Sequence, residues 1–330
     1  MATLSTTNPT LADVAKATDP DGKIAQIVEI LNMTNEILDD MGWQEGNMPT
    51  GNKTSIRAGL PSPTWRKLYG GVQPTKGRQV QVVDNTGSLE DYAEVDAALA
   101  DLNGNTAAFR LIEDSAHIEG MNQEFSQTLF YGNEGTEPEA FTGLAPRFNS
   151  LSAENADNIV NAAGSGSDNT SIWLVVWGPK TCFGITPKAQ PTGLQMTDKG
   201  LVTIENADGS GGRMEAYRTH YKWQCGLVVR DWRYVVRIAN IDVSDLNTLA
   251  NTKNLVQWMI QATERIPSFA MGRAAFYCNR TIREKLRLGI LERAITQLTY
   301  DTVAGKRVVA FDGIPVRRCD SLLLTEAAVA

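Results

Sequence analysis

His117 and His220 are the only histidines in the 330-residue chain, so any imidazole acid–base chemistry at neutral pH rests on them. His117 lies in EDSAHIEG, between Glu113 and Glu119. Glu113 and His117 are i,i+4 neighbours on one helical face, an ordinary structural pair, and the zinc-binding HExxH spacing is missing. His220, in YRTHYKW, sits in a strand-like segment with no partner nearby in sequence. Cys182, Cys225, Cys278 and Cys319 lie too far apart for a CxxC or Cys/His metal signature and read as buried free thiols. GSGSDN (Gly164 to Asn169) and DGSGGR (Asp208 to Arg213) have glycines but lack the lysine and serine of a phosphate cradle. The carboxylates Asp91, Glu94 and Asp96 cluster where acidic residues also suit the start of a helix. None of these sets converges, so no catalytic, metal or cofactor site is expected.

Composition narrows the remaining classes. A 36.0 kDa chain with 42% hydrophobic and 21% charged residues can bury a substantial core, as one large domain or two ordinary ones. A net charge of −7 argues against a protein whose main task is gripping nucleic acid. The first residues, MATLSTTNPTLADVAKATDPDGK, contain no apolar signal-peptide core, and no run of eighteen apolar residues could span a membrane. The expected setting is a reducing cytoplasm.

The elements are predicted from hydrophobic spacing. Residues 1 to 20 read as a mobile arm. Ile24, Ile27, Leu31, Thr34, Leu38 and Met41 then mark one helix face, with Asp21 as N-cap and Gly42 as stop. TSIRAG and RQVQVV alternate as the two strands of a long hairpin with an irregular middle. Helical patterns follow in LEDYAEVDAALADL and in the long stretch from Thr106 to Asn133, whose stripe runs through Phe109, Ile112, Ala116, Met121, Phe125, Leu129 and Phe130. IWLVVWG reads as a buried strand, and a mainly β region runs from Leu201 to Val243. Helices return at TKNLVQWMIQATERI and NRTIREKLRLGILERAI, and the chain closes with two strands around a Gly-Ile-Pro turn. The class is α+β, without regular βαβ alternation.

Charge is segregated along this order. Residues 1–50 carry −6, residues 51–83 carry +6, and residues 84–109 carry −6. The basic block, SIRAGLPSPTWRKLYGGVQPTKGRQVQVV with Lys53 before it, holds Arg57, Arg66, Lys67, Lys76 and Arg78 and no acid. Trp65, Leu68, Tyr69 and Val72 in the same stretch need an apolar surface, and Trp, Tyr and Arg together mark interface anchors. Two arrangements remain open. The loop folds back on its own acidic flanks, or it reaches a second copy and meets that copy's acids: Glu90, Asp91, Glu94 and Asp96.

The segment TSIRAGLPSPTWRKLYGGVQPTKGRQVQVVDNTGSLEDYAEVD resembles the extended loop of tailed-bacteriophage major capsid proteins, those of short-tailed and temperate phages of Gram-negative bacteria in particular. EAFTGLAPRFNSLS, GPKTCFGITPKA, YKWQCGLVVRDWRYVVRIANI and FDGIPVRRCDSLLLTE resemble the same group in the same order, so the likeness covers roughly residues 20 to 325.

The resemblance implies the Hong Kong 97-type capsid fold. The arm and first helix would occupy 1–44 and the extended loop 45–86. A peripheral domain would occupy 87–149, with a spine helix at about 106–131. Most of 150–300 would be axial domain, with 301–330 returning to the peripheral domain. It further implies hexamers and pentamers closing into an icosahedral shell around double-stranded DNA held without sequence-specific contacts. A separate scaffolding protein, a portal and a decoration protein are the other implied partners. The virion would be the location, after assembly in the bacterial cytoplasm. Lys67 and Lys76 lie on the loop, but no Lys–Asn pair is marked for covalent crosslinking. The alternatives are a tail-tube or decoration protein, usually shorter and more dominated by strands, and a cytoplasmic enzyme or binding protein with a long lid loop.

Overall fold

Nine consecutive buried residues, Asn169–Trp177, form the strand around which the larger part of the molecule is organised. The structure is a computed structural model and describes residues 35–101, 106–205, 211–247, 249–291, 298–303 and 306–330. The predicted first helix falls outside these residues up to position 34.

In chain order the elements begin with α1 (Ile37–Asp40), β1 (Trp43–Glu45), β2 (Gly51–Gly59) and β3 (Arg78–Asp96). Next come α2 (Ala97–Ala100), α3 (Thr106–Tyr131), β4 (Ile159–Asn161), β5 (Asn169–Trp177) and β6 (Cys182–Thr186). The β-rich middle is β7 (Gln195–Glu205), β8 (Arg213–Val229) and β9 (Val235–Asp242). The last third holds α4 (Leu249–Glu264), β10 (Arg273–Cys278), α5 (Arg280–Leu291), β11 (Leu298–Val303), β12 (Lys306–Phe311) and β13 (Ile314–Arg318).

These elements form two compact units. Ser88–Phe125 and Gly193–Gln224 build the first; Thr34–Gly87, Ser126–Thr192 and Cys225–Ala330 build the second. In the second unit, the strand order is β11-β12-β13-β10-β5-β6, continuing to the Cys225–Val229 end of β8, while β9 pairs with β5 and β4, and β1 with β6. Ile172, Leu174 and Val176 on one face of β5 join Val236, Ile238 and Phe276 against Leu255 and Met259 of α4 and Ile282 and Leu286 of α5. Trp173 on the other face meets Phe130 and Phe148 at ring-centroid distances of 6.2 and 5.9 Å. Both faces are covered, which is why the strand reads as an unbroken apolar run rather than an alternation.

A buried polar group ties this second face together. Arg237 donates from Nε to Ser171 Oγ (3.0 Å), from Nη1 to the Phe148 carbonyl (2.8 Å) and from Nη2 to Glu326 Oε2 (2.8 Å). Its guanidinium lies 5.2 Å over the Trp173 ring. Glu326 also accepts from Tyr131 and Ser171. Each guanidinium nitrogen and each carboxylate oxygen of the charged pair thereby has a hydrogen-bond partner, the condition under which such a pair can stay buried.

The first unit is a three-stranded sheet of β7, β8 and the distal part of β3 with α3 on one face. Ala93, Met121 and Tyr221 form one apolar cluster, and Val95, Ala100 and Phe109 another. Between them Ala116, which the helical stripe would bury, is exposed.

Three expectations need correction. LEDYAEVD is the end of β3, not a helix; only Ala97–Ala100 is helical, capped by Asp96 through Ala98 N (2.8 Å). The final turn is Asp312–Gly313, with φ of +51° and +76°, joining Phe311 and Ile314 as a two-residue hairpin; Ile314 and Pro315 belong to β13. RAAFYC, given no element from sequence, is the strand β10 beside β5.

Candidate assembly interface

β2 and β3 pair antiparallel from Gly51↔Asn85 to Gly59↔Arg78, with one bulge between Arg57 and Gly59. The alternation of the two strands is what permits this ribbon, and the prolines and glycines of residues 60–77 end it. Pairing stops there. Between the two arms of the connection, one weak bond is seen among the described residues, Thr75 Oγ1 donating to the Ser62 carbonyl at 3.5 Å. At the far end Arg66 Nε donates to the Gly70 carbonyl (2.9 Å) and Gly70 N to that of Lys67 (3.0 Å), closing a small turn. Tyr69 sits in it at φ +62°, a left-handed conformation that disfavours a bulky residue.

That turn holds its apolar side chains outward. Trp65 and Tyr69 are as exposed as in an extended peptide, at 102% and 105%, and Leu68 is 91% exposed. Arg66, Lys67, Lys76 and Arg78 are exposed with them. Among the described residues, the one carboxylate that any of these four cations approaches is Glu154, 3.9 Å from Arg78, an exposed contact worth little. Arg57 lies in β2, which gives it a place in the ribbon.

The four acids expected to receive such a tip stand on or at the end of a strand, and each has a partner in its own unit. Glu90 accepts from His220 Nε2 and Lys222 Nζ, both at 3.1 Å. The Lys222 hydrogen bond, helped by His220 and Ser88, holds the Glu90 carboxyl below its ordinary value. Asp91 meets His117 Nδ1 at 2.6 Å, Glu94 meets Arg218 Nε at 2.6 Å, and Asp96 caps α2. Tyr92 stacks on His220 with ring centroids 4.4 Å apart. Both histidines therefore serve as pairing groups for β3. These acids find partners without the loop folding back: Glu90 and Glu94 of β3 are met by Arg218, His220 and Lys222 of β8, more than a hundred residues away, a pairing that local charge counting misses.

No reactive constellation lies elsewhere among the described residues. No group of three His, Cys, Asp or Glu side chains is placed to hold a metal ion, and no helix is long and apolar enough to cross a membrane. All four cysteines are buried free thiols; burial pushes Cys278 and Cys319 up to about 12 and the other two further. What the structure presents is a long ribbon whose most interface-like side chains touch almost nothing.

Residues 19–330 match the family described as Major capsid protein GP7. The chain belongs to that family. It is similar to a chain in the near-atomic structure of bacteriophage Epsilon15, with 41% identity, a TM-score of 0.77, and coverage of 100% of this chain and 99% of that one. The capsid of bacteriophage JBD30 also matches, at 9% identity and a TM-score of 0.45 over 88% of this chain and 92% of that one. No curated protein matches. This major capsid protein has the Hong Kong 97-type fold, is a structural component of the virion rather than an enzyme, and forms the multimeric head shell of a tailed phage.

Proposed function

We propose that the β2–β3 hairpin is the extended loop of this capsid protein and that its tip docks on a neighbouring subunit, joining copies into hexamers and pentamers. The carrying observation is the near-complete exposure of Trp65, Leu68 and Tyr69 on a turn closed by Arg66 and Gly70. A two-stranded ribbon is marginal in water on its own. Burying each of these side chains would contribute about 1.5–3 kcal/mol, which offsets the entropy lost on association. Arg57, Arg66, Lys67, Lys76 and Arg78 orient the encounter more than they tighten it. Glu90, Asp91, Glu94 and Asp96 meet a neighbour's tip as groups already paired at home, so the apolar trio carries the larger share. Each contact is modest, and closure multiplies it. In the same reading α3 is the spine helix of the peripheral domain.

The finer partners follow from the same function: a separate scaffolding protein, a portal, a decoration protein, and enclosed double-stranded DNA held without sequence readout. Assembly takes place in the host cytoplasm. The protein's net charge of −7 supports a lining to which DNA does not adhere. Arg66→Glu with Lys67→Glu tests the docking. Soluble capsomers or monomers and no closed shells by negative-stain microscopy are expected; shells at normal yield would reject the pairing of the basic tip with a neighbour's acids.

A further inference from the structure

Asp84 is the last buried residue of β3 before the ribbon projects from the packed part of its unit. From Val83 back to Arg78 every residue is exposed or half-exposed, whereas the Asp84 side chain is 2% exposed. Arg147 Nη1 donates to Asp84 Oδ1 at 2.6 Å. The rest of that guanidinium is committed elsewhere: Nε to the Gly143 carbonyl (3.1 Å), and Nη2 to those of Thr142 (3.0 Å) and Leu227 (3.3 Å). Its orientation is therefore set by the body of the unit before it meets the hairpin. Packing at the root is equally close. A Cβ on Gly51 would stand 2.2 Å from the Asp84 carbonyl oxygen, and one on Gly226 would stand 2.9 Å from that of Asn85. Asn85 Nδ2 donates to Glu134, and Thr86 N to the Thr50 carbonyl at 3.0 Å.

Aspartate is a poor strand residue, and a buried ion pair is a weak way of adding stability. Desolvation raises the Asp84 carboxyl above its ordinary value, with Glu134 adding to it, although Arg147 pulls the other way. The ionised group thus costs stability at neutral pH, and that cost begins to shrink as pH falls below the raised folded value and is gone below the unfolded one. An apolar residue would fill the site more cheaply. What the pair supplies is one geometry.

We infer that Asp84 and Arg147 form a positioning joint: the pair fixes the direction in which the hairpin projects from the packed part of its unit, and so where Trp65 and Tyr69 meet the next subunit. The inference rests on the docking reading above. Six residue steps from Asp84 to Arg78 make a ribbon of about 20 Å at the usual strand rise. A swing of about 10° at its root carries the far end about 3–4 Å, more than a hydrogen bond tolerates.

Asp84→Asn in the full-length chain keeps the shape and leaves Arg147 its three carbonyls. Spin labels on Thr64→Cys and Glu154→Cys, both exposed, report the tip-to-body distance while the buried native thiols stay unlabelled. The joint predicts a distance distribution shifted or broadened by about 3 Å or more. It also predicts shell yield about tenfold lower, because misaimed contacts lose their avidity. An unchanged distribution, or normal shell yield from a shifted one, overturns it. Should Asp84→Asn fail to fold, Arg147→Lys, which keeps the charge and loses the fork, is read by the same distances and judged by the same two results. Trp65→Ala separates the levels. If Trp65→Ala blocks shells while Asp84→Asn assembles normally, only the joint fails; if Trp65→Ala assembles normally, the docking reading fails.

Discussion

The tip of the hairpin and the surroundings of β5 are built on opposite terms. Around β5, apolar faces are covered on both sides and a buried ion pair, Arg237–Glu326, has a hydrogen-bond partner at each nitrogen and oxygen. At the tip, three large side chains are fully exposed and the hydrogen bonds are local. One region is finished within a single chain; the other is finished only in company. Substitutions should therefore separate into those that unfold the subunit and those that leave a stable subunit unable to build.

The contrast breaks most visibly at Glu326. Glu326→Ala leaves Arg237 charged, buried and unpaired, and should cost about 3–5 kcal/mol, measured by denaturant unfolding of the unassembled chain. Leu174→Ala, which opens a cavity between β5 and its covering helices, should cost about 2–5 kcal/mol in the same assay. Trp65→Ala with Tyr69→Ala should change subunit stability by no more than about 0.5 kcal/mol while abolishing shells. A large loss of stability there would mean that the tip already packs in the free subunit.

Glu90 sharpens the comparison from the first unit. Its lowered carboxyl value adds stability that is present above the unfolded value of about 4.3 and lost as pH falls through the folded one. Because the pair is over a third exposed, Glu90→Gln should cost at most about 0.5 kcal/mol at neutral pH. The variant should also flatten that part of the acid titration, read by circular dichroism. Smallest of all, Glu154→Ala should shift nothing measurable, since its contact with Arg78 is long and solvated.

Much of this was legible in the residues. The alternation of TSIRAG and RQVQVV is the β2–β3 ribbon, the unbroken IWLVVWG is β5, and the stripe from Phe109 to Phe130 is α3. Illegibility had physical causes. LEDYAEVD is rich in helix formers, yet pairing with β8 holds it as strand, with Ala93 and Val95 turned inward at the period of two. RAAFYC is a short run lying between two helices, and only its neighbour β5 makes it a strand. The loop's chemistry was plain in Trp65, Arg66, Lys67 and Tyr69, whereas the partners of Glu90, Asp91 and Glu94 depended on long-range register. Asp84 counted as one more acid in a charge block; nothing in the sequence marked Arg147, sixty-three positions later, as its partner.

Hydrogen–deuterium exchange over residues 60–77, compared between the unassembled protein and purified shells, tests the central claim most directly. Backbone amides of this segment should exchange freely in the free chain and become protected in the shell, while β5 stays protected in both. Equal exchange of the tip in the two states would contradict the account.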